Sequence, residues 1–218
     1  MSSMMPNGAK YAVATNVALA VAITAITNAN PAVASSGTLP ALNDIVFLTS
    51  GWSELNGSVA RVKSPSAGTF QLEGIDTTDT VRYPAGEGAG TYQIVSSFVG
   101  ISKVRDIQMS GGEQQFFQYQ YVDDPSGRQL QAPTFKSAQT MTMLVDYDPT
   151  LPAFNAMVTL DRKRSVAVLR ETLPNGDVIY YVGWFSFNKV PSKTLNEFMT
   201  NQLTFSLTAE PLRYPAGA

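Results

Sequence analysis

The chain has no cysteine and no histidine among its 218 residues. Without cysteine there is neither a disulfide nor a thiolate metal site. Without histidine the side chain most used for proton transfer near neutral pH and for binding transition metals is also missing. Serines and threonines are plentiful, yet no imidazole is present to activate one as a nucleophile. These absences exclude most hydrolase and metalloenzyme arrangements, so no cofactor and no enzymatic activity are expected. Charge is scarce as well: charged residues are 15% of the chain, against a usual value of about 25%. Net charge is −2, and gripping nucleic acid needs clustered Lys and Arg. The one basic cluster, Arg162, Lys163 and Arg164, falls where a helix should end, and there cations meet the helix dipole favourably.

Apolar residues nevertheless reach 44%, an ordinary value, so the chain has enough material for a core. Two readings account for the missing charge. The surface is either neutral and rich in Ser, Thr, Asn and Gln, or largely covered by copies of the same chain, because interface cores are depleted of Lys, Glu and Asp. The second reading is preferred. Long apolar runs are also missing. The stretch from Val17 to Ile26, with Lys10 ahead of it and Ala32-Val33-Ala34 behind, has the outline of a secretory signal. Its charged end is a single Lys, however, and it falls short of the roughly 20 residues that cross a bilayer. Val17, Leu19, Val21 and Ile23 alternating with Ala18, Ala20, Ala22 and Thr24 predict a β-strand instead. Neither a signal peptide nor membrane insertion is expected.

What is present is a series of short strands. Residues 1–16 have no periodicity and contain Pro6, Asn7 and Gly8, which predicts an arm ordered on docking. Residues 17–90 predict a small β-barrel module, with strands over 44–49, 58–63, 69–72 and 80–83. Pro84 to Gly90 predicts a flexible junction. Its glycines lack the G-x-G-x-x-G spacing of a phosphate loop. A second module over 91–211 predicts strands at 101–109, 113–122 and 139–147. A helix follows, capped by Thr150, with Pro152 in its first turn and Leu151, Phe154, Met157 and Val158 on one face. A two-residue Asn175-Gly176 hairpin and a closing strand from Thr200 to Ala209 complete the module. Residues 212–218 predict a tail.

Side chains with chemistry are few. Asp146 and Asp148, with Asp123 and Asp124, resemble a carboxylate constellation for a glycosidase or a hard cation. Yet Pro149 follows Asp148 and Pro125 follows Asp124, the usual setting of turn and capping aspartates. Trp52, Tyr180, Tyr181, Trp184, Phe185 and Phe187 compose either a sugar-stacking platform or a core. Both faces of 177–187 are apolar, so a strand buried on two sides is preferred. Three strands alternate cleanly. Gln114, Gln118 and Gln120 oppose Phe117, Tyr119 and Tyr121. Thr140, Thr142 and Asp146 oppose Met141, Met143 and Val145. Thr200, Gln202, Thr204, Ser206 and Thr208 oppose Leu203, Phe205 and Leu207. If these strands share one sheet, its wet face is broad and nearly free of Lys and Arg. DNA would pass such a wall without sticking, since each Lys or Arg contact to phosphate strengthens binding.

The PNG hairpin, the strand VIYYVGWFSFNKV, the linker PSKTLNEFMT and the final strand NQLTFSLTAEP together resemble the major tail tube proteins of long-tailed phages with flexible tails. Upstream, SKVRDIQMSGGEQQFFQYQYVDD and SAQTMTMLVDYDP followed by LPAFNAMVTL extend the resemblance over roughly residues 94–213. NDIVFLTSGWSELNG through FQLEGID resembles a small β-barrel decoration or spacer of phage tail and fibre proteins. The resemblance implies a β-sandwich or partly open barrel with one flanking helix. It further implies self-assembly into stacked rings of six subunits in the virion, made in the host cytoplasm, with the wet face lining a conduit for DNA ejection. Tape measure and terminator or tip proteins are the implied partners. The long loop from Asp123 to Ser137, carrying Asp123, Asp124, Arg128, Leu130 and Phe135, would reach a neighbouring subunit or the next ring. A single completion ring and a carbohydrate-binding adhesin are the alternatives from other classes.

Overall fold

A computed structural model describes residues 7–216. In chain order the strands of the first part are β1 (Lys10–Val17), β2 (Val21–Ile23), β3 (Ala25–Ile26), β4 (Ala32–Ser35), β5 (Ile45–Ser50), β6 (Val59–Ser66), β7 (Thr69–Glu73) and β8 (Gly90–Ile101). There follow β9 (Val104–Ser110), β10 (Gln114–Tyr119), β11 (Leu130–Lys136), β12 (Thr140–Asp146) and helix α1 (Pro152–Lys163). The chain closes with β13 (Val166–Thr172), β14 (Val178–Phe187), β15 (Thr200–Leu207) and β16 (Leu212–Tyr214). The fold is mainly β with one helix, as the sequence predicts.

One long, open antiparallel sheet runs β3-β4-β7-β6-β5-β8-β1-β13-β14-β15-β12-β9, with β10 and β11 forming a separate hairpin. The small module is therefore no closed barrel with a continuous ladder. Its sheet curls, and the short strands β2 and β3, on either side of Thr24, pair with β8 and β4 respectively. The expected junction is not a free linker. The Trp52 indole donates to the Pro84 carbonyl at 2.8 Å, the Gly51 amide donates to the Ala89 carbonyl at 3.1 Å, and Gly88 lies against the Trp52 ring, leaving no room for a Cβ. The 12-residue strand β8 then pairs with β2 and β5 on one stretch and with β1 on the other. The two modules thus share a strand.

Two further expectations are corrected at the chain ends. Residues 10–16 belong to β1, wedged between β8 and β13, with Tyr11 to Ala14 buried. The two phenols of Tyr11 and Tyr181 donate to the buried Glu171 carboxylate at 2.6 and 2.7 Å. Burial first, and that carboxylate second, hold both phenols well above the usual tyrosine range. Alternation of Ala and Val over 12–14 is too short and too small to distinguish such a strand from an arm. Residues 1–6 lie outside the described residues. At the other end, Leu212–Tyr214 pair with β14, and the buried Tyr214 hydroxyl accepts from the Arg61 amide at 2.9 Å and donates to the Glu73 carbonyl at 3.1 Å. The Arg61 guanidinium pairs with Glu73 and sits 4.5 Å over the Tyr214 ring. The expected tail therefore ties the end of the chain to β6 and β7.

Three apolar clusters follow from this layout. Met141, Met143, Phe185, Leu203 and Phe205 on one face of the sheet pack under α1, which contributes Ala153, Met157 and Leu160. Val168, Tyr180, Val182 and Tyr214 form a cluster of their own, with Tyr214 contributed by β16 at the edge of β14. Phe70, Trp52 and Tyr92 fill the first module. Leu151, rather than Thr150, occupies the cap position of α1 and makes no capping bond. Thr150 instead bonds the Asp148 carboxylate through both its amide and its hydroxyl. The β13–β14 turn also differs from expectation. Leu173 pairs with Asp177 through a 2.8 Å bond, leaving Pro174-Asn175-Gly176 as a three-residue loop in which only Gly176 takes positive φ (89°). Proline fixes a negative φ and forces this type I turn with a glycine bulge over the two-residue form.

Phe205→Ala is expected to cost about 3–5 kcal/mol of stability, as for other buried aromatics, measured by urea unfolding. Tyr214→Phe, which strips the Arg61 amide of its acceptor, is expected to cost about 1–3 kcal/mol in the same assay.

Candidate functional site

The most extended polar surface is built by β9, β12, β15 and the end of β14. Antiparallel pairing sets Thr140 opposite Ser206, Thr142 opposite Thr204, Leu144 opposite Gln202 and Asp146 opposite Thr200. On the outer side of β12, Ser110, Gln108 and Asp106 stand opposite Thr140, Thr142 and Leu144. Beyond β15, Trp184 and Ser186 stand opposite Ser206 and Thr204. Because successive side chains alternate between faces, these residues share one face, while Met141, Met143, Leu203 and Phe205 pack into the core. Seven of the residues expected on the wet face thus stand in paired rungs: Thr140, Thr142, Asp146, Thr200, Gln202, Thr204 and Ser206. Thr208 continues beyond β15, its amide bonded to the Val182 carbonyl at 2.9 Å.

Gln114, Gln118 and Gln120 do not join them. Gln114 and Gln118 are in β10, which pairs only with β11, and Phe117, expected in a core, is 62% exposed. Alternation tells which residues share a face but not which sheet owns the face. The departure is set by Gly111 and Gly112, both at positive φ (82° and 83°), and a Cβ on Gly111 would overlap the Ala138 carbonyl. Only glycine takes this geometry without strain. Asp106, Gln108, Ser110 and Ser186 were missed, although the Asp106, Gln108, Ser110 spacing is itself a two-residue period.

The face is almost neutral. Its basic neighbours are paired: Arg105 with Asp146, and Lys103 with Asp148 at 2.8 Å. Asp148 is held at about 2 by Lys103 first and then by Thr150. The four aspartates proposed as a constellation are not brought together. Asp146 and Asp148 are engaged in these pairs, whereas Asp123 and Asp124 lie at the hairpin tip, where Asp124 accepts from the Ser126 amide. Among the described residues no group of three or more His, Cys, Asp or Glu side chains converges on a metal position, and no helix is long and apolar enough to cross a membrane. Of the aromatic set, Trp52, Tyr180, Tyr181, Phe185 and Phe187 are core, and Trp184 stands 49% exposed on the polar face.

The second feature is the β10–β11 hairpin: β10 falls within the strand expected over 113–122, and β11 forms within 123–137, where a loop was expected. Asp123, Asp124 and Arg128 sit in its connection, and Leu130 and Phe135 lie on β11, both exposed. Phe117 and Tyr119 stack with ring centroids 6.4 Å apart, and Tyr121 meets Tyr119 edge-on at 5.5 Å.

The described residues thus build a large open β-sheet with one polar face, one helix on the other face and a hairpin outside the sheet. The chain belongs to the phage tail tube protein (TTP) family, whose model matches residues 50–216. The match begins within the first module, so β6 and β7 lie inside the family region. A comparison with curated proteins gave no match. Membership makes this a structural protein of the phage tail, a tube component that assembles with itself in the virion.

Asp148 and Asp177 both sit near 2 instead of the ordinary 3.8, Asp177 chiefly through Arg213. A depressed carboxyl stabilises the fold above its unfolded pKa and loses that contribution as pH falls through the folded value. Stability is therefore expected to decline between about pH 4 and pH 2, and Arg213→Ala should flatten that decline, as followed by urea midpoints across the range.

Proposed function

We propose that the subunits join edge to edge into six-membered rings, stacked into a tube, with the β9-β12-β15 face lining the bore through which DNA leaves the virion. The observation that carries this reading is the polar ladder: Thr, Gln and Ser rungs, interrupted only by Leu144 and Trp184 among the paired positions described, whose nearest Arg and Lys are neutralised by Asp146 and Asp148. Hydroxyl and amide groups keep the wall hydrated, and among the described residues of β9, β12 and β15 the one cation, Arg105, is paired and not offered to phosphate. β9 ends the sheet path, and an unpaired strand edge is resolved most completely by pairing with a neighbour. The β10–β11 hairpin, with Asp123, Asp124, Arg128, Leu130 and Phe135, makes contacts between subunits. Tape measure and terminator or tip proteins are the partners that such a tube meets inside and at its ends.

Negative-stain microscopy of the purified chain tests the reading: long hollow filaments are expected. A single ring that does not grow would identify a completion protein instead, and dispersed monomers under all conditions would remove the tube reading. A finer test puts charge on the wall. The Thr142→Lys, Thr204→Lys double variant is expected to form tubes that retain DNA, with log affinity falling against log salt at about 0.9 per phosphate contact, measured by filter binding. Equal retention by the unmodified tube would refute the non-adhesive wall.

A further inference from the structure

We infer that the cleft between the last turns of α1 and the end of β14 is the acceptor for the hairpin tip of a second copy, so that this contact runs head to tail. The inference rests on the tube reading and names the surface that the hairpin engages.

The placement follows from register. The hairpin leaves the sheet after Ser110, at the rung shared with Thr140 and Ser206, and returns just before it. The cleft lies at the other end, by the rung of Asp146 and Thr200. There Asn188 bonds the Gln202 carbonyl at 3.0 Å, and Asp161 of α1 accepts from the Phe187 amide at 3.0 Å. The length of β12, about 20 Å at about 3.3 Å per residue, separates the base of the hairpin from that end of the sheet. A contact between unlike patches at opposite ends of one molecule does not close on a pair. Repeated along the sheet, it extends without limit.

Charge and shape select the match. The tip carries Asp123 and Asp124, opposed by Arg128, together with the exposed apolar Tyr121 and Val122. The cleft, about 250 Å³, has Val158, Phe187 and Val190 as its apolar lining and Arg162 and Lys189 at its sides. Lys163, Arg164 and Lys193 are exposed nearby in sequence, and none of these five cations forms an ion pair among the described residues. The acids of the same end are Asp161, Glu197, Asp146 and Asp148, of which Asp146 and Asp148 are engaged by Arg105 and Lys103. The apolar material there continues along the β14–β15 connection with Leu195 and Phe198, 88% and 77% exposed. The alternative, hairpin against hairpin, would bring Asp123 and Asp124 onto their own copies, and like charges juxtaposed across an interface disfavour that pairing.

The absence of cysteine makes the test clean. Under tube-forming conditions with a mild oxidant, the Asp123→Cys, Lys189→Cys double variant is expected to give a ladder of disulfide-linked oligomers on a non-reducing gel. A mixture of the two single variants should give dimers, and each single variant alone should remain monomeric. Tubes visible by microscopy without the ladder, or dimers from Asp123→Cys alone, would overturn the acceptor assignment while leaving the tube reading intact. Failure of the unmodified protein to form tubes would overturn both. As a second measurement, Arg162→Glu with Lys189→Glu, and separately Asp123→Lys with Asp124→Lys, should each lower the pelletable fraction about tenfold with an unchanged thermal midpoint. Combining all four should restore it, as coupling between contacting sites requires. A combined variant no better than its parents would refute the contact.

Discussion

The pairing of β12 with β15 is the constraint on which the molecule turns. With a period of two, a shift of one residue would carry Met141, Met143, Leu203 and Phe205 to water and Thr140, Thr142, Thr204 and Ser206 into the core. Seven consecutive pairs hold the register from Thr140 to Asp146. The polar face is therefore a by-product of the core: the packing of α1 over Met143 and Phe205 fixes where every threonine points. Gly183 belongs to the same constraint, since a Cβ there would overlap the Ser206 carbonyl of β15.

Integration of the first module follows a second logic. A module tethered by a linker would move against the main sheet. Here β8 serves both parts, the Trp52 indole holds the Pro84 carbonyl, and Tyr214 from the last strand reaches between Arg61 and Glu73. The Arg61 guanidinium is raised above its ordinary range mainly by the Glu73 carboxylate, and Glu73 is lowered in turn. Burial raises the Tyr214 phenol to about 12, so it stays a neutral donor across the physiological range. The module is thereby an extension of the main sheet, in keeping with a family region that begins at residue 50.

Much of this was legible in the sequence. Alternation over 139–147 and 200–209 gave the faces of both strands and their limits to within two residues, because the apolar positions there are large. The helix was legible from Pro152 and the apolar spacing behind it. What escaped notice depended on contacts distant in sequence. β1 is short and built of small residues, and nothing in Tyr11 to Ala14 reveals that Glu171 and Leu169 will flank it. Ser96 and Ser97 interrupt the pattern of β8, where Ser97 takes positive φ (59°). The polar residues of β10 alternate much as those of β15 do, yet two glycines upstream send them into a different sheet. Local period reads orientation, and sheet membership is decided by partners.

Gly111 and Gly112 have one more consequence. By turning the chain out of the sheet at a single point, they uncouple the composition of the hairpin from the composition of the wall. Residues 114–136 are free to diversify without disturbing a single core contact of β9 or β12. The exposed aromatic surface of the hairpin is thus structurally insulated from the polar face of the main sheet, so that a substitution on one leaves the packing behind the other intact.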